Sequence, residues 1–181
     1  FLGFDDGTGA KAYGNTVIPT NAWTHVAVVV ESSGCTFYVN GVSYGGVSSG
    51  ISVGANTHTT YIGKKYTSTF YLNGKLSQVC FFDYALSQSQ VTTLYGTGSA
   101  IGNPMALPSS PIAYYPLGES AGGFVGGTGT WLTENNAIGD YVFDFPIAEQ
   151  SVDISNDFNN YTEISVSTWV NFNNFSGYQY V

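Results

Sequence analysis

The chain has 181 residues, enough for one ordinary domain or two small ones with a buried core. Apolar residues make up 43% and aromatics 16%, so it folds despite 23 glycines. Charged residues are only 9%, where an average soluble domain carries about 25%. With four lysines, no arginine and a net charge of −8, it offers no basic face to release counterions, which excludes nucleic acid as a main partner.

Ser, Thr, Asn, Gly and Tyr supply the polar surface in place of charge, a balance common in extracellular adhesive and virion proteins. The longest strictly apolar run is "VAVVV", and no secretory leader opens the chain, so neither membrane span nor signal peptide is expected. Charge is unevenly placed. Residues 1–97 hold all four lysines against Asp5, Asp6, Glu31 and Asp83, whereas residues 98–181 hold eight carboxylates, Glu119 to Glu163, and no base.

In chain order, "HVAVVVE", "CTFYVNG", "THTTYIG" and "FYLNGKLSQVCFF" are β-branched and aromatic runs punctuated by Gly, Asn and Ser, which predict strands. In "NAWTHVAVVV", period-two alternation puts Trp23, His25, Ala27 and Val29 on one face and Thr24, Val26 and Val28 on the other. Asn40-Gly41 and Asn73-Gly74 predict tight turns, since both residue types tolerate positive φ. Cys35 alternates with Phe37 and Val39 on an apolar face. Two isolated cysteines, Cys35 and Cys80, set neither a disulfide framework nor a zinc site, and buried thiols are the commoner outcome.

One helix is predicted, in "DYALSQSQVTTLYG": Ser87 caps it, Val91 and Leu94 lie three apart, and Gly96 ends it. Residues 98–111 lack periodicity, hold Pro104, Pro108 and Pro111, and read as a linker. Strand signals resume with "DYVFDF", "SVDIS" and "TEISVSTWVNF", whose Trp169 and the earlier Trp23 are both expected to be buried. One short helix among at least seven strands predicts an all-β sandwich or jelly roll.

These motifs carry a family likeness. "WTHVAVVVESSGCTFYVNG", followed by "YIGKKYTSTFYLNGKLSQVCFFDYALSQSQVTTLY", resembles the second half of a laminin-G-like domain of the concanavalin A-like superfamily. "PIAYYPLGES" resembles that family's opening strand, "DYVFDF" its next, and "EISVSTWVNF" the inner strand that follows. The combination "AYYPLGE…DYVFDF" looks most like modules in structural proteins of marine tailed phages. The resemblance therefore implies a concanavalin A-like jelly-roll sandwich in permuted or half-domain order: residues 1–97 as a second half, 98–111 as a linker and 112–181 as a first half. A circularly permuted domain, a half exchanged between subunits and a window of a tandem array all fit.

A catalytic histidine needs a carboxylate or nucleophile within hydrogen-bond reach. No such constellation converges in the sequence, and the resemblance makes His25 a wall residue. Glycosidases of the superfamily pair acids on one strand, about 5 Å apart for retention. Asp140 and Asp144 in "DYVFDF" are four residues apart, roughly 13 Å along a strand, and match neither carboxylate geometry.

For a cation, the resemblance points to Asp5 and Asp6 in "GFDDGTG", where pentraxin-like relatives begin a calcium site. The loop that completes theirs with acids is "KKYTSTFYLNG" here, with two lysines and no acid; Asp140 or Asp153 are the remaining candidate ligands. For glycans, Tyr13, Tyr44, Tyr66 and Tyr178 sit in Gly- and Ser-rich contexts from which a ring could stack on a sugar. The sequence thus leads to a non-enzymatic structural or adhesion module of a virion-surface or secreted assembly, contacting copies of itself, other subunits or surface glycans. A carbohydrate-binding lectin is the alternative, and a glycoside hydrolase a third.

Overall fold

The computed structural model describes residues 3–5, 11–13, 16–47, 60–64, 71–97, 101–116, 143–145, 152–154 and 161–174. Its strands are β1 (Gly3–Asp5), β2 (Lys11–Tyr13), β3 (Thr24–Glu31), β4 (Gly34–Val39), β5 (Val42–Val47), β6 (Thr60–Ile62), β7 (Gly74–Phe82), β8 (Ala113–Tyr115), β9 (Phe143–Phe145), β10 (Val152–Ile154) and β11 (Ile164–Phe172). A helix, α1 (Gln88–Tyr95), follows β7, and a 3-10 turn spans Pro104–Ala106.

Seven strands form one antiparallel sheet in the order β5-β4-β3-β11-β7-β8, with β9 also pairing β7. Two ribbons, β1-β2 and β6-β10, form ladders of their own. This mostly antiparallel, helix-poor architecture is that of a concanavalin A-like sandwich, as the strand-rich sequence predicts. The central strand β11 comes from the far end of the chain. Its ladder matches Ile164 to Val30 and Val170 to Thr24 on one side, and Ser165 to Phe82 and Phe172 to Gly74 on the other.

Alternation decides what each face of the sheet buries. Val26, Val30, Cys35, Phe37, Leu76, Val79, Phe81, Ile164, Val170 and Phe172 point to one side, where Ile62 of β6 and Leu72 join them. Ala27, Val29, Tyr38, Cys80 and Phe82 point to the other, beneath Leu86, Val91, Leu94 and Leu107. Cys35 and Cys80 therefore lie in different clusters on opposite faces and do not bridge each other.

The run "SQVCFF" could not serve both faces in strict alternation. A bulge resolves it: Gln78 takes φ +59°, and the β7–β11 register shifts between Ser167 and Trp169. The extra residue restores phase, so Leu76 and Val79 both reach the first core while Cys80 and Phe82 reach the second.

Of the two predicted turns, Asn40-Gly41 takes positive φ at both residues (+49° and +77°), as a hairpin of this type requires. Asn73-Gly74 does not. Gly74 opens β7 with ordinary φ and is small for another reason: a Cβ there would sit 2.2 Å from the Asn171 carbonyl oxygen. Trp169 is buried as expected, but Trp23 is only half-buried, because it precedes the ladder that β3 begins at Thr24.

Helix α1 starts and stops where the sequence indicates. Ser87 Oγ accepts from the Gln90 N–H while Gln90 Oε1 accepts from the Ser87 N–H, a reciprocal capping box, and Gly96 caps the far end with φ +80°. Of the segment read as a linker, residues 101–111 are described. Ile101, Pro104 and Leu107 are buried, Asn103 Oδ1 accepts from the Met105 N–H, and the Ile112 N–H donates to Phe81 O on the way into β8.

Candidate functional site

The densest polar arrangement lies on the α1 side of the sheet. Because β11 pairs with β3, Trp169 stands directly across from His25, and Ser167 across from Ala27. His25 Nε2 lies 2.8 Å from Ser167 Oγ, and both residues are buried. Which of the two carries the proton depends on the tautomer. In either tautomer Nδ1 is buried without a hydrogen-bond partner.

Aromatic rings enclose the imidazole. Its centroid is 5.5 Å from Trp169 in an edge-on arrangement and 6.0 Å from Tyr95, the last residue of α1. Tyr95 and Trp169 stack on each other at 5.7 Å. The backbone is held as well: the His25 N–H donates to Asn40 Oδ1 and the Asn40 N–H donates back to His25 O, at 2.9 and 2.8 Å. Burial alone pushes the His25 pKa down from 6.5 to about 3, so the ring is neutral at pH 7.

A histidine hydrogen-bonded to a serine is half of a nucleophilic pair, and the sequence reading missed Ser167 as its partner. The alternation of "SVSTWVNF" puts Ser165, Ser167 and Trp169 on one face, but the β3–β11 register that brings Ser167 to His25 has no local sequence signal. Chemically, the pair is walled in. His25 is 1% and Ser167 3% exposed, leaving no approach for a substrate to the serine oxygen. No carboxylate among the described residues orients the imidazole. Ser165 is structural in the same way, accepting from the Leu86 N–H and donating to Tyr84 O where β7 turns toward α1.

The residues singled out for ligands are scattered. Tyr44 stands on edge strand β5 and is 43% exposed. Tyr13 ends β2, which runs against β5, so two of the four tyrosines occupy neighbouring strands. Tyr66, Tyr178 and Asp6 lie outside the described residues, as does Asp140. Asp5 is in β1, at the register position directly opposite Lys11 of β2, and Asp153 is in β10 of the other ribbon. Among the described residues no three His, Cys, Asp or Glu gather as a metal cluster.

One further surface arrangement had no sequence signal. Lys64 Nζ sits 4.4 Å from the Tyr61 ring centroid and 5.8 Å from that of Tyr71. The Lys64–Tyr71 bridge brings them together across the loop between β6 and β7.

Comparison with known proteins bears on the first half of the chain. A laminin-G-type family model, described as concanavalin A-like lectin/glucanases superfamily, matches residues 1–92. The chain belongs to that superfamily. Neither the curated proteins nor the solved structures give a match. The superfamily model covers β1 to β7 and most of α1, so His25 and Tyr44 fall within it, whereas Ser167 and Trp169 lie beyond it. Among the described residues no helix is long and apolar enough to cross a membrane.

Proposed function

We propose that the chain is a non-enzymatic structural or adhesion module of an extracellular or virion-surface assembly, with weak glycan contact at its surface. The observation that carries this reading is the closure of the His25–Ser167 pair: the one described arrangement resembling a nucleophilic site is sealed beneath α1 and built into the sheet wall. The sparse charge supports it too, because a surface of Ser, Thr, Asn and Tyr makes many neutral hydrogen bonds that salt does not screen. Its partners on this reading are copies of itself, other subunits of the assembly, or surface glycans. The resemblance that the sequence "AYYPLGE…DYVFDF" suggests to modules of tailed-phage structural proteins is the ground for naming a virion surface.

A specific observation favours the lectin alternative. Tyr44 is exposed on edge strand β5, where its ring can stack on a sugar. A glycan array with the intact protein and with Tyr44→Ala tests both readings. Weak or no binding fits a module, while strong selective binding lost in Tyr44→Ala makes the protein a lectin. Release of reducing ends from laminarin or similar glucans, at a rate above buffer, would overturn the non-enzymatic reading.

A further inference from the structure

The His25 ring is closed off by a short helix rather than by strands alone. Tyr95 covers it from α1, and Gly41 backs Tyr95 so closely that a Cβ there would lie 3.2 Å from the tyrosine ring. The helix has eight residues, fewer than the roughly 12–15 an isolated helix needs to be marginally stable in water. It therefore stays in place through its docking: Val91 and Leu94 on the sheet, the stack of Tyr95 on Trp169, and the bond from Gln88 Nε2 to Gly41 O at 2.6 Å.

We propose that His25 is an acid-sensitive latch for α1: proton uptake by the imidazole is coupled to undocking of Gln88–Tyr95 from the sheet, which bares the apolar face beneath. An imidazolium has two N–H donors. In the closed state Ser167 Oγ can accept one, and the other, on Nδ1, has no acceptor among the described residues. Lifting Tyr95 gives that donor and the charge access to water.

Among the described residues the groups facing His25 bring the cation no carboxylate. Beside it on the sheet are Ser167 and Trp169 of β11 and the Asn40 turn. Tyr38 of β4 and Cys80 of β7 share the same face, and burial raises both toward the neutral form. Tyr95 is the titratable side chain that α1 brings. The carboxylates of Glu31 and Glu163 are elsewhere, Glu31 at the far end of β3 and Glu163 accepting from the Ala85 N–H.

The size of the coupling follows from the two states of the ring. With an ordinary pKa of 6.5 in the open state and about 3 in the closed one, the α1 opening constant rises about 25-fold between pH 7 and pH 5. Opening of α1 is also local, so it exposes little surface and responds weakly to denaturant.

Native-state hydrogen exchange of the intact protein, at pH 7 and pH 5 over a series of sub-denaturing urea concentrations, tests the latch. The α1 amides are expected to exchange faster than those of β7 and β11, with little urea dependence. After correction for intrinsic exchange they should accelerate about 25-fold at pH 5. His25→Gln, whose amide never titrates, should abolish that acceleration while leaving the effect of any carboxylate in place. Equal protection of α1 and β11 at both pH values would mean that the helix leaves only on global unfolding, and would overturn the proposal. So would an unchanged acid response in His25→Gln. Should that variant not fold, the comparison of α1 with β7 and β11 in the wild-type protein decides by itself.

Discussion

Asn73 and Asn173, one hundred positions apart in sequence, share a side-chain hydrogen bond, Nδ2 of Asn173 donating to Oδ1 of Asn73 at 3.0 Å. The Asn173 backbone N–H also donates to Asn73 O at 3.0 Å. Both bonds lie at the seam where the two halves of the chain meet, at the start of β7 and just past the end of β11.

That seam gives the first prediction, that one chain closes its own sandwich. A chain carrying Asn73→Cys and Asn173→Cys, oxidised in dilute solution, should form an internal crosslink and run as a monomer on a non-reducing gel. Cys35 and Cys80 are buried and should not compete. A crosslinked dimer would show instead that the halves are exchanged between subunits.

Removing the serine hydroxyl tests the wall reading of the His25 pair. Ser167→Ala leaves Nε2 as well as Nδ1 of His25 buried and unbonded, and is expected to cost about 1–3 kcal/mol of stability in urea melts. Adding His25→Phe should cost less than the sum of the single changes, because both polar partners are then gone. Full additivity would mean that the two side chains do not interact.

The pH dependence of overall stability has a definite sign. The folded-state pKa of His25 is depressed to about 3 from 6.5, so between these values the unfolded chain binds the proton more readily. The contribution is fully present above pH 6.5 and is lost as pH falls toward 3. Between pH 7 and pH 5 the loss is about 2 kcal/mol. Repulsion among the eight acids of residues 98–181 acts the other way, but it is relieved mainly near the ordinary carboxylate range of about 4. Thermal melts should therefore show a lower Tm at pH 5 than at pH 7, and the difference should shrink in His25→Gln. A Tm that rises at pH 5 would place the acids, not His25, in control.

Two glycines should respond to alanine for different reasons. A Cβ at Gly102 would lie 1.8 Å from Thr93 O and 2.7 Å from Leu94 Cα, so Gly102→Ala must push residues 101–107 off the helix. Overpacking of that kind costs about 1–3 kcal/mol. Gly45 has open space around it but φ +72°, so its cost is backbone strain of about 1–2 kcal/mol. A free thiol of the second core tells them apart: Cys80, which shares a cluster with Leu94 and Leu107, should react faster with a thiol reagent in Gly102→Ala only.

Trp169→Ala should be the most damaging of the single changes. The indole is 5% exposed, stacks on Tyr95 and meets His25, and the cavity it leaves is expected to cost about 3–5 kcal/mol. An unchanged Tm would mean that the ring does not hold α1 to the sheet.

Local chemistry in the sequence was read well. Ser87, Val91, Leu94 and Gly96 define α1 from their own spacing, and the faces of β3 follow from alternation alone. The resemblance named the superfamily whose model matches residues 1–92. What escaped the sequence were pairings between distant segments. Ser167 meets His25 only through the β3–β11 register, and Gly74 is small because Asn171 approaches it from across the sheet. The bulge at Gln78 was equally hidden, since nothing in "LSQVC" announces a positive φ at glutamine. For the ligand residues the obstacle was different: the strands that hold Tyr13 and Tyr44 meet only when β2 runs against β5.

The position of β11 also has a mechanical consequence. It is laddered on both sides, to β3 and to β7, by antiparallel pairs running from Ser165 to Val170. Tension applied along its axis loads both rows of hydrogen bonds in shear, so they must yield together rather than unzip one at a time. Tension across the sheet at β5, which among the described residues pairs only β4, would instead peel that strand away bond by bond. The same molecule should therefore bear far more load when pulled through Phe172 than through Val42, and single-molecule stretching through those two positions would measure the difference.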